Sequence, residues 1–354
     1  METSVLVGTT KGAFILLSSD RRSWAVSGPF CDGMPVNHVI GDADTGDIFA
    51  AAGGGWFPLG VWRCVDGDWQ FFKDTFEEAA EGLWSLRPAG DVIYAGTKPA
   101  ELYRSHDRAE TWERMPALTA QDGAAEWMPG AAGLTLHTIL THPTDPQKIW
   151  VGISAAGFFA SEDGGATWES RLRRSNEDRT NLPDFHGEPM GTTEIFTCVH
   201  NAVRAPGDGD LIYQQNHHGT FRSPDGGRNW TAITEGLPSL FGFPIGVHPR
   251  DPQTIWTFPL NGDSMGRYPP DASAAVWRSR DGGANWEACQ NGLPTQDCFF
   301  TVLRQGMAVD QGDQAGVYFG TNSGSIFASI DEGDTWSEIA RHLPTVLSVE
   351  VMQR

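Results

Sequence analysis

The sequence is poor in cysteine and in positive charge. Its 354 residues include five cysteines, none in a CxxC pair, which argues against a disulfide framework and favours reduced thiols in a cytoplasmic protein. Lys and Arg number 25 against 45 Asp and Glu, a formal net charge of −20. Nucleic acids and anionic membrane surfaces attract basic proteins, so we expect neither as a partner.

Long apolar runs and helical periodicity are also scarce. No segment approaches the ~18 apolar residues of a membrane-spanning helix. The opening stretch "METSVLVGTTKGAFILL" has an acid at Glu2 and no basic start, so it predicts two strands around a turn rather than a signal peptide. By contrast, 42 Gly and 14 Trp suggest many tight turns between strands that pack through aromatic side chains.

An eight-residue phrase repeats through the chain. Each copy follows two short β-rich runs, and most are preceded by a third run that ends in a proline-containing turn. A fourth strand after each tryptophan completes a four-stranded antiparallel unit. The copies are "SEDGGATW" (161–168), "SPDGGRNW" (223–230), "SRDGGANW" (279–286), "SIDEGDTW" (329–336) and the weaker "SHDRAETW" (105–112).

Two degenerate units, 5–24 and 48–69, bring the number of units to seven. Seven such units predict an all-β fold, a seven-bladed β-propeller of four-stranded antiparallel blades. The first unit lacks an innermost strand, and "TVLSVEV" (345–351) is a strand without a unit. We therefore expect the C-terminal strand to join the N-terminal blade and close the ring. The expected single domain, 1–354, has blades at about 345–352 with 4–28, 35–73, 82–115, 135–172, 195–234, 243–289 and 299–339.

The chemistry of the octet points to a structural role. Its Asp can accept backbone N–H bonds across a tight turn between the third and fourth strands, and its Gly pair permits positive φ there. Its Trp can fill the gap between neighbouring sheets. We therefore expect the octets to shape the blades and to take no part in catalysis.

The octets resemble the Asp box, or bacterial neuraminidase repeat, of the sialidase-like propeller superfamily. The resemblance covers nearly the whole chain and implies the fold. In that superfamily the boxes lie on the face opposite the active site. Its members include sialidases, glycosyl-hydrolase-like repeat proteins, large glucan hydrolases with two propellers, and photosystem II assembly factors, so the resemblance says little about activity.

The functions of these relatives fit the sequence poorly. Sialidases carry a Phe/Tyr-Arg-Ile-Pro motif, which is missing, and a Tyr nucleophile paired with Glu. Of the five Tyr, all but Tyr268 fall at repeated strand positions, and Arg104, Arg222 and Arg278 likewise recur just before the octets. The glucan hydrolases need a cleft between two propellers, and the assembly factors are expected to use a basic patch. We therefore do not expect an authentic sialidase.

Irregular segments on the face opposite the octets indicate where a site lies. Propeller topology places the turns between second and third strands, and the connections between blades, on that face. Three segments there, 116–134, 173–194 and 260–275, exceed the usual connection length and together can cover the pore. We call this side the insertion face.

Candidate site residues follow from the strand register. Aligning the innermost strands on their closing prolines places Asn37, His137, His200 and Phe243 at one equivalent position, the pore mouth. His137 and His200 belong to adjacent blades, so we expect them to converge. The expected catalytic residues are His137, His200, Glu194 and Tyr268, with His186 and Glu188 approaching from the same insertion as Glu194. The expected ligand-binding residues are Asn37, Lys11, Lys98, Asn216, His217, His218 and Arg267.

Three interpretations of the histidines stay open. His137, His200 and His218 can bind a divalent metal ion, the same set can perform acid–base chemistry without a metal, or they are hydrogen-bonded pore residues around water. The leading hypothesis is a pocket for a small polar or carbohydrate-like ligand, with hydrolysis or elimination as the reaction. The alternative is a non-catalytic scaffold that holds a protein partner on the insertion face.

Overall fold

A computed structural model describes residues 2–175, 194–207 and 209–353. These residues form seven antiparallel sheets of four strands each, which confirms the predicted seven-bladed β-propeller. Blades 1 to 4 are built by β1 (Thr3–Thr9), β2 (Gly12–Ser18) and β3 (Ala25–Phe30); β4 (Val36–Gly41), β5 (Ile48–Gly54), β6 (Phe57–Val65) and β7 (Asp68–Lys73); β8 (Gly82–Ala89), β9 (Val92–Lys98), β10 (Leu102–Ser105) and β11 (Glu113–Arg114); β12 (Thr135–Thr141), β13 (Ile149–Ser154), β14 (Gly157–Ser161) and β15 (Glu169–Ser170).

The remaining strands complete blades 5 to 7 and return to blade 1. They are β16 (Val199–Arg204), β17 (Ile212–Asn216), β18 (Gly219–Ser223) and β19 (Thr231–Ala232); β20 (Gly242–Val247), β21 (Ile255–Pro259), β22 (Val276–Ser279) and β23 (Glu287–Cys289); β24 (Met307–Val309), β25 (Val317–Gly320), β26 (Ile326–Ser329) and β27 (Ser337–Ala340); and β28 (Val346–Gln353).

The C-terminal strand closes the ring as predicted. β28 pairs antiparallel with β1, with Val5 opposite Val351 and Thr3 opposite Gln353, so it is the innermost strand of blade 1. It also packs against β4 of blade 2 and β24 of blade 7. The two ends of the described chain therefore share one sheet.

Each blade is buried in the middle and exposed at the rim. All residues of β13, β17 and β21 are buried, because these second strands are covered on both faces by neighbouring blades. The outermost strand β3, by contrast, is exposed over nearly its whole length. Apolar clusters lie between successive sheets, as where Phe258 of blade 6 contacts Phe319 of blade 7 at a centroid distance of 5.2 Å.

The octets form the turns between third and fourth strands. In the copy at 161–168, Asp163 accepts a hydrogen bond from the backbone N–H of Thr167 at 2.8 Å and one from the Thr167 hydroxyl at 2.6 Å. Gly164 and Gly165 adopt φ of 70° and 91°, a region that favours glycine. These bonds, together with one from Ser161, lower the pKa of Asp163 from its ordinary 3.8 to about 2.

Helical structure in the described part of the chain is limited to short turns. The described 3-10 helices are Cys31–Gly33, Pro116–Leu118, Ala124–Glu126 and Pro270–Ala272. None of the helices in the described parts of the chain is long and apolar enough to cross a membrane. Two of the predicted insertions, 116–134 and 260–275, lie on the insertion face, and most of the third, 173–194, falls outside the described residues.

Candidate functional site

The innermost strands carry a β-bulge at the predicted pore-mouth position. Leu136 pairs with Ile153 and Thr138 with Gly152, so His137 is the extra residue of its strand. His200 is the extra residue between Val199 and Asn201. Asn37 is the extra residue between Val36 and His38, and Phe243 lies in the corresponding irregularity of β20. The alignment on closing prolines therefore placed these residues in equivalent positions.

Side chains at the bulges bind the backbone of the next blade. Asn37 Nδ2 donates to Leu83 O at 2.7 Å, His137 Nε2 lies 3.0 Å from Val199 O, and His200 Nδ1 lies 2.6 Å from Gly242 O. Each acceptor lies on the innermost strand of the following blade, immediately before the irregularity of that strand. The bulge residues thus connect neighbouring blades.

His137 and His200 line different cavities. The second nitrogen of His137, Nδ1, lies 2.9 Å from Thr138 Oγ1, so both of its ring nitrogens have protein partners. His137 lines the central channel on the octet side, a cavity of about 340 Å³ that also contains His38, Arg87 and Glu350. His137 and Asn37 thus both form hydrogen bonds between blades, and their predicted roles in catalysis and ligand binding stay predictions.

A separate cavity of about 590 Å³ opens on the insertion face. Residues of blades 4 to 7 line it, so the cavity lies to one side of the propeller axis. The lining comes from β13, β16, β20, the β17–β18 turn, the insertion of blade 6 and the segments that precede blades 4, 5 and 7. Its apolar residues include Met128, Phe196, Phe241 and Phe243, and its polar residues are Ser154, Thr197, Cys198, His200, His217, Asp263, Arg267 and Arg304.

Two imidazoles lie against an aromatic wall of this cavity. The ring of His200 is 4.6 Å from that of Phe243 and 5.2 Å from that of His217. Burial and the nearby Arg304 charge hold the pKa of His200 well below its ordinary value of 6.5. Burial also lowers the pKa of His217, against the opposing effect of Asp263, whose Oδ2 lies 3.8 Å from His217 Nε2. Both imidazoles are therefore neutral at pH 7.

Cys198 brings a thiol to the same point. Its Sγ lies 3.5 Å from Ser154 Oγ, and burial raises the pKa of the thiol. One side-chain atom each from Cys198, His200 and His217 lies within 4.8 Å of the others. This group replaces the predicted set of His137, His200 and His218, which the structure does not bring together as metal ligands.

Two guanidinium groups face the cavity. Arg304 Cζ lies 5.0 Å and Arg267 Cζ 5.9 Å from the centroid of the Phe243 ring. Arg304 Nη2 lies 3.4 Å from Ser154 Oγ. Arg267 was predicted from the sequence, whereas Arg304, Cys198 and Asp263 were missed. Arg304 and Asp263 lie in connections that have no counterpart in the other blades, and the octet-based alignment gave no reason to select Cys198, which lies two residues before His200.

The other predicted residues lie elsewhere. Lys11 is exposed, Lys98 pairs with Glu81 at 3.7 Å, and Tyr268 packs on Phe299 outside the cavity lining. Glu194 is exposed in a bridge with Arg173.

Two predicted residues of the "QNHHG" turn are buried beside the cavity. Asn216 Nδ2 donates to the carbonyl group of Phe196, and Asn216 Oδ1 accepts from the backbone N–H of His218 at 3.1 Å. The His218 ring packs on Phe196 at 4.7 Å. Both residues stabilise the turn that presents His217. His186 and Glu188 lie outside the described residues.

Comparison with known proteins relates the chain to glucan hydrolases over part of their length. No family model matches the chain. A xyloglucanase of Paenibacillus sp is 26% identical over 230 residues, which is 58% of this chain and 20% of that protein. Xyloglucanase Xgh74A of Acetivibrio thermocellus is 24% identical over 281 residues, 70% of this chain and 30% of that protein. The chain thus spans less than a third of the length of these relatives.

Solved structures extend the likeness to the whole fold. The GH74 xyloglucanase from Xanthomonas campestris matches with a TM-score of 0.65 at 18% identity, covering 95% of this chain and 52% of that one. YCF48 from Cyanidioschyzon merolae matches with a TM-score of 0.53 at 14% identity, covering 85% and 83%. The chain is a propeller of the same fold as GH74 enzymes and YCF48. At these identities the fold alone is shown.

Proposed function

We propose that the insertion-face cavity binds a small anionic ligand with a carbohydrate-like body, held by Arg267 and Arg304. The observation that carries the proposal is the pair of guanidinium groups lining one cavity. Within the described ranges, neither has a carboxylate within 4.0 Å, whereas Arg21, Arg108 and Arg278 do. The buried Nε of Arg304 also has no hydrogen-bond partner among these residues. A carboxylate or phosphate would satisfy this donor and both charges.

The rest of the cavity suits a sugar-sized body. A volume of about 590 Å³ falls in the range of small-molecule sites. Phe196 and Phe241 offer apolar faces, and Ser154 and Thr197 offer hydroxyl groups. The xyloglucanases among the similar proteins act on a carbohydrate, which supports a ligand of this class without identifying it.

The imidazoles support proton transfer to or from such a ligand. His200 holds its Nδ1–H on Gly242 O, which leaves Nε2 as the nitrogen with a lone pair. His217 has a carboxylate, Asp263, on its Nε2 side, an arrangement that orients an imidazole and raises its basicity. We infer hydrolysis or elimination at an anionic sugar as the reaction class.

Calorimetric titration with D-glucuronate, glucose 6-phosphate and neutral D-glucose tests the proposal. At least one anionic sugar should bind more tightly than glucose, and added salt should weaken that binding. Arg304→Ala and Arg267→Ala should each weaken it by about tenfold or more, since hydrogen bonds to charged groups contribute about 1.5–3 kcal/mol. Arg22→Ala, at an exposed position on the octet side, is the matched control and should bind like the parent.

Equal binding of charged and neutral sugars, or unchanged binding in both cavity variants, would contradict the proposal. Such a result would favour the alternative function, a scaffold that holds a protein partner.

The scaffold function has its own supporting observation. Four large apolar side chains on the insertion face are exposed: Trp56 (102%), Met128 (72%), Met265 (64%) and Phe299 (67%). Exposed apolar groups of this kind suit a protein partner, and YCF48 has been solved bound to the D1 peptide.

A further inference from the structure

The floor of the insertion-face cavity combines three side chains that transition metals prefer. Cys198 and His200 lie at the start of β16, and His217 lies in the turn after β17 of the same blade. The backbone N–H of His217 donates to Cys198 O at 3.1 Å, so the turn and the strand are fixed relative to each other. We propose that Cys198, His200 and His217 form a site for a zinc-like transition-metal ion.

The potential ligand atoms are slightly farther apart than the ligand atoms of an occupied tetrahedral site. One potential ligand atom from each residue lies within 4.8 Å of the others. In a tetrahedral site with Zn–S of about 2.3 Å and Zn–N of about 2.1 Å, ligand atoms are roughly 3.4–3.6 Å apart. Rotation of the His217 and Cys198 side chains that shortens these separations by about 1 Å would give the distances of a tetrahedral site.

A backbone carbonyl group orients the His200 ring, and a carboxylate lies near the His217 ring. His200 holds Nδ1 on Gly242 O at 2.6 Å, which directs Nε2 to the ion. Asp263 Oδ2 lies 3.8 Å from His217 Nε2, beyond hydrogen-bond distance, so a small side-chain rotation is needed before Nε2 donates to it and Nδ1 faces the ion. Metal-bound histidines usually donate their second N–H to a carbonyl or carboxylate in this way. The site therefore has a supporting shell as well as three ligands.

The ligand types select the metal and define its chemistry. One thiolate and two imidazoles favour Zn²⁺, Co²⁺ or copper over Mg²⁺ and Ca²⁺, which need oxygen ligands. Three protein ligands leave a fourth position open toward the cavity, as in catalytic zinc sites. The charges of the Cys198 thiolate and Asp263 together balance the two positive charges of the ion, which leaves Arg267 and Arg304 available to an anion. Metal binding uses the nitrogen lone pairs of His200 and His217, so it replaces their proposed role in proton transfer, whereas anion binding by Arg267 and Arg304 does not depend on it.

Titration of metal-free protein with Co²⁺ tests the site. We expect one Co²⁺ per chain, visible d–d bands of tetrahedral geometry and a near-ultraviolet thiolate-to-cobalt band, all displaced by Zn²⁺. Cys198→Ser should abolish the thiolate band, and His217→Ala should abolish binding. Asp263→Asn should weaken affinity about 10–100-fold, as loss of an outer-shell partner does. Cys298→Ser is the matched control, because this buried thiol bonds to Pro294 O away from the site.

Three results would overturn the proposal: no stoichiometric Co²⁺ binding by the parent, a thiolate band that survives in Cys198→Ser, or a band that disappears in Cys298→Ser. Thermal unfolding of each variant identifies any that fail to fold, in which case Asp263→Asn and His217→Ala, on surface segments, carry the test. Titration of metal-free protein with glucuronate and glucose 6-phosphate tests the anion site separately, so failure of the metal site can be distinguished from failure of the anion site.

Discussion

A buried imidazole has two nitrogens, and at the bulge positions of this propeller the partners of those nitrogens decide its role. His137 has both nitrogens bonded within the fold, to Val199 O and Thr138 Oγ1. His200 uses Nδ1 for the equivalent inter-blade bond and presents its other side to a cavity. The sequence register predicted the shared position. It could not predict the different surroundings, because the channel and the cavity are formed by residues of other blades.

The carboxylates of the octets allow a prediction at the same scale. The pKa of Asp163 is lowered from 3.8 to about 2 by bonds to Thr167 and Ser161. A folded-state pKa below the unfolded value gives stability that is complete above about pH 4–5 and is lost as the pH falls through about 2. Asp163→Asn should therefore destabilise the protein at pH 6 and cost progressively less toward pH 2.

Urea denaturation of parent and variant from pH 6 to pH 2 measures this difference. Asp91→Asn is the matched control, since Asp91 is exposed in the turn after β8 and makes no hydrogen bond through its side chain in the described structure. If the difference in unfolding free energy between Asp163→Asn and the parent stayed constant from pH 6 to pH 2, the charge of the Asp163 carboxylate would not be the source of its stabilising effect.

The strands and turns repeat from blade to blade, whereas a segment without a counterpart in the other blades contributes Arg304 to the cavity. The octets identified their turns correctly because the same hydrogen bonds recur, as at Ser223 and Asp225 and at Ser279 and Asp281. The segment "FTVLRQ" (300–305) is rich in residues that favour strands, yet β24 begins only at Met307. The segment before it runs across the insertion face and delivers Arg304, which no local pattern distinguishes from a strand residue.

Trp230 shows how the fourth strands join neighbouring blades. It is fully buried, its ring meets that of Phe158 in blade 4 at 5.5 Å, and its Nε1 donates to Arg171 O at 2.8 Å. Trp230→Ala leaves a cavity between blades and should lower the free energy of unfolding by about 3–5 kcal/mol. Trp56→Ala, at a fully exposed position, should change it by less than about 0.5 kcal/mol.

Denaturant titrations followed by far-ultraviolet circular dichroism make this comparison without relying on tryptophan fluorescence. Similar stabilities for the two variants would mean that blade contacts do not depend on the octet tryptophan. In the folded fraction, sugar binding by Trp230→Ala should match the parent, because Trp230 is not among the residues that line the cavity.

On the scale of the whole molecule, a symmetric ring supports an asymmetric site. The cavity lies over blades 4 to 7, whereas the bulge bonds that stabilise the pore run from Asn37 in blade 2 to His200 in blade 5. The ring symmetry follows from repeats that are visible in the sequence. The asymmetry follows from unique connections, whose mutual contacts arise only when the ring is closed. Closure of the ring is therefore a condition for the site.

The closing strand provides the prediction at this scale. β28 pairs with β1 over nearly its whole length, Val39 N–H donates to Ser348 Oγ at 3.3 Å, and Val349 N–H donates to Gln305 O at 2.7 Å. Deleting residues 345–354 removes the contacts of three blades and exposes β1 as an unpaired apolar edge. We expect the truncated protein to aggregate or to melt far below the parent.

Adding the missing strand as a synthetic peptide of residues 345–354 provides the control. If the loss comes from the open edge, the peptide should restore solubility and the parent circular dichroism spectrum, and a scrambled peptide of the same composition should not. The bond from Val349 to Gln305 places β28 one residue from Arg304, so restoration of the fold should also restore binding of the anionic sugar. A truncated protein that stays monomeric and melts at the parent temperature would contradict closure of the ring by the two ends of the chain.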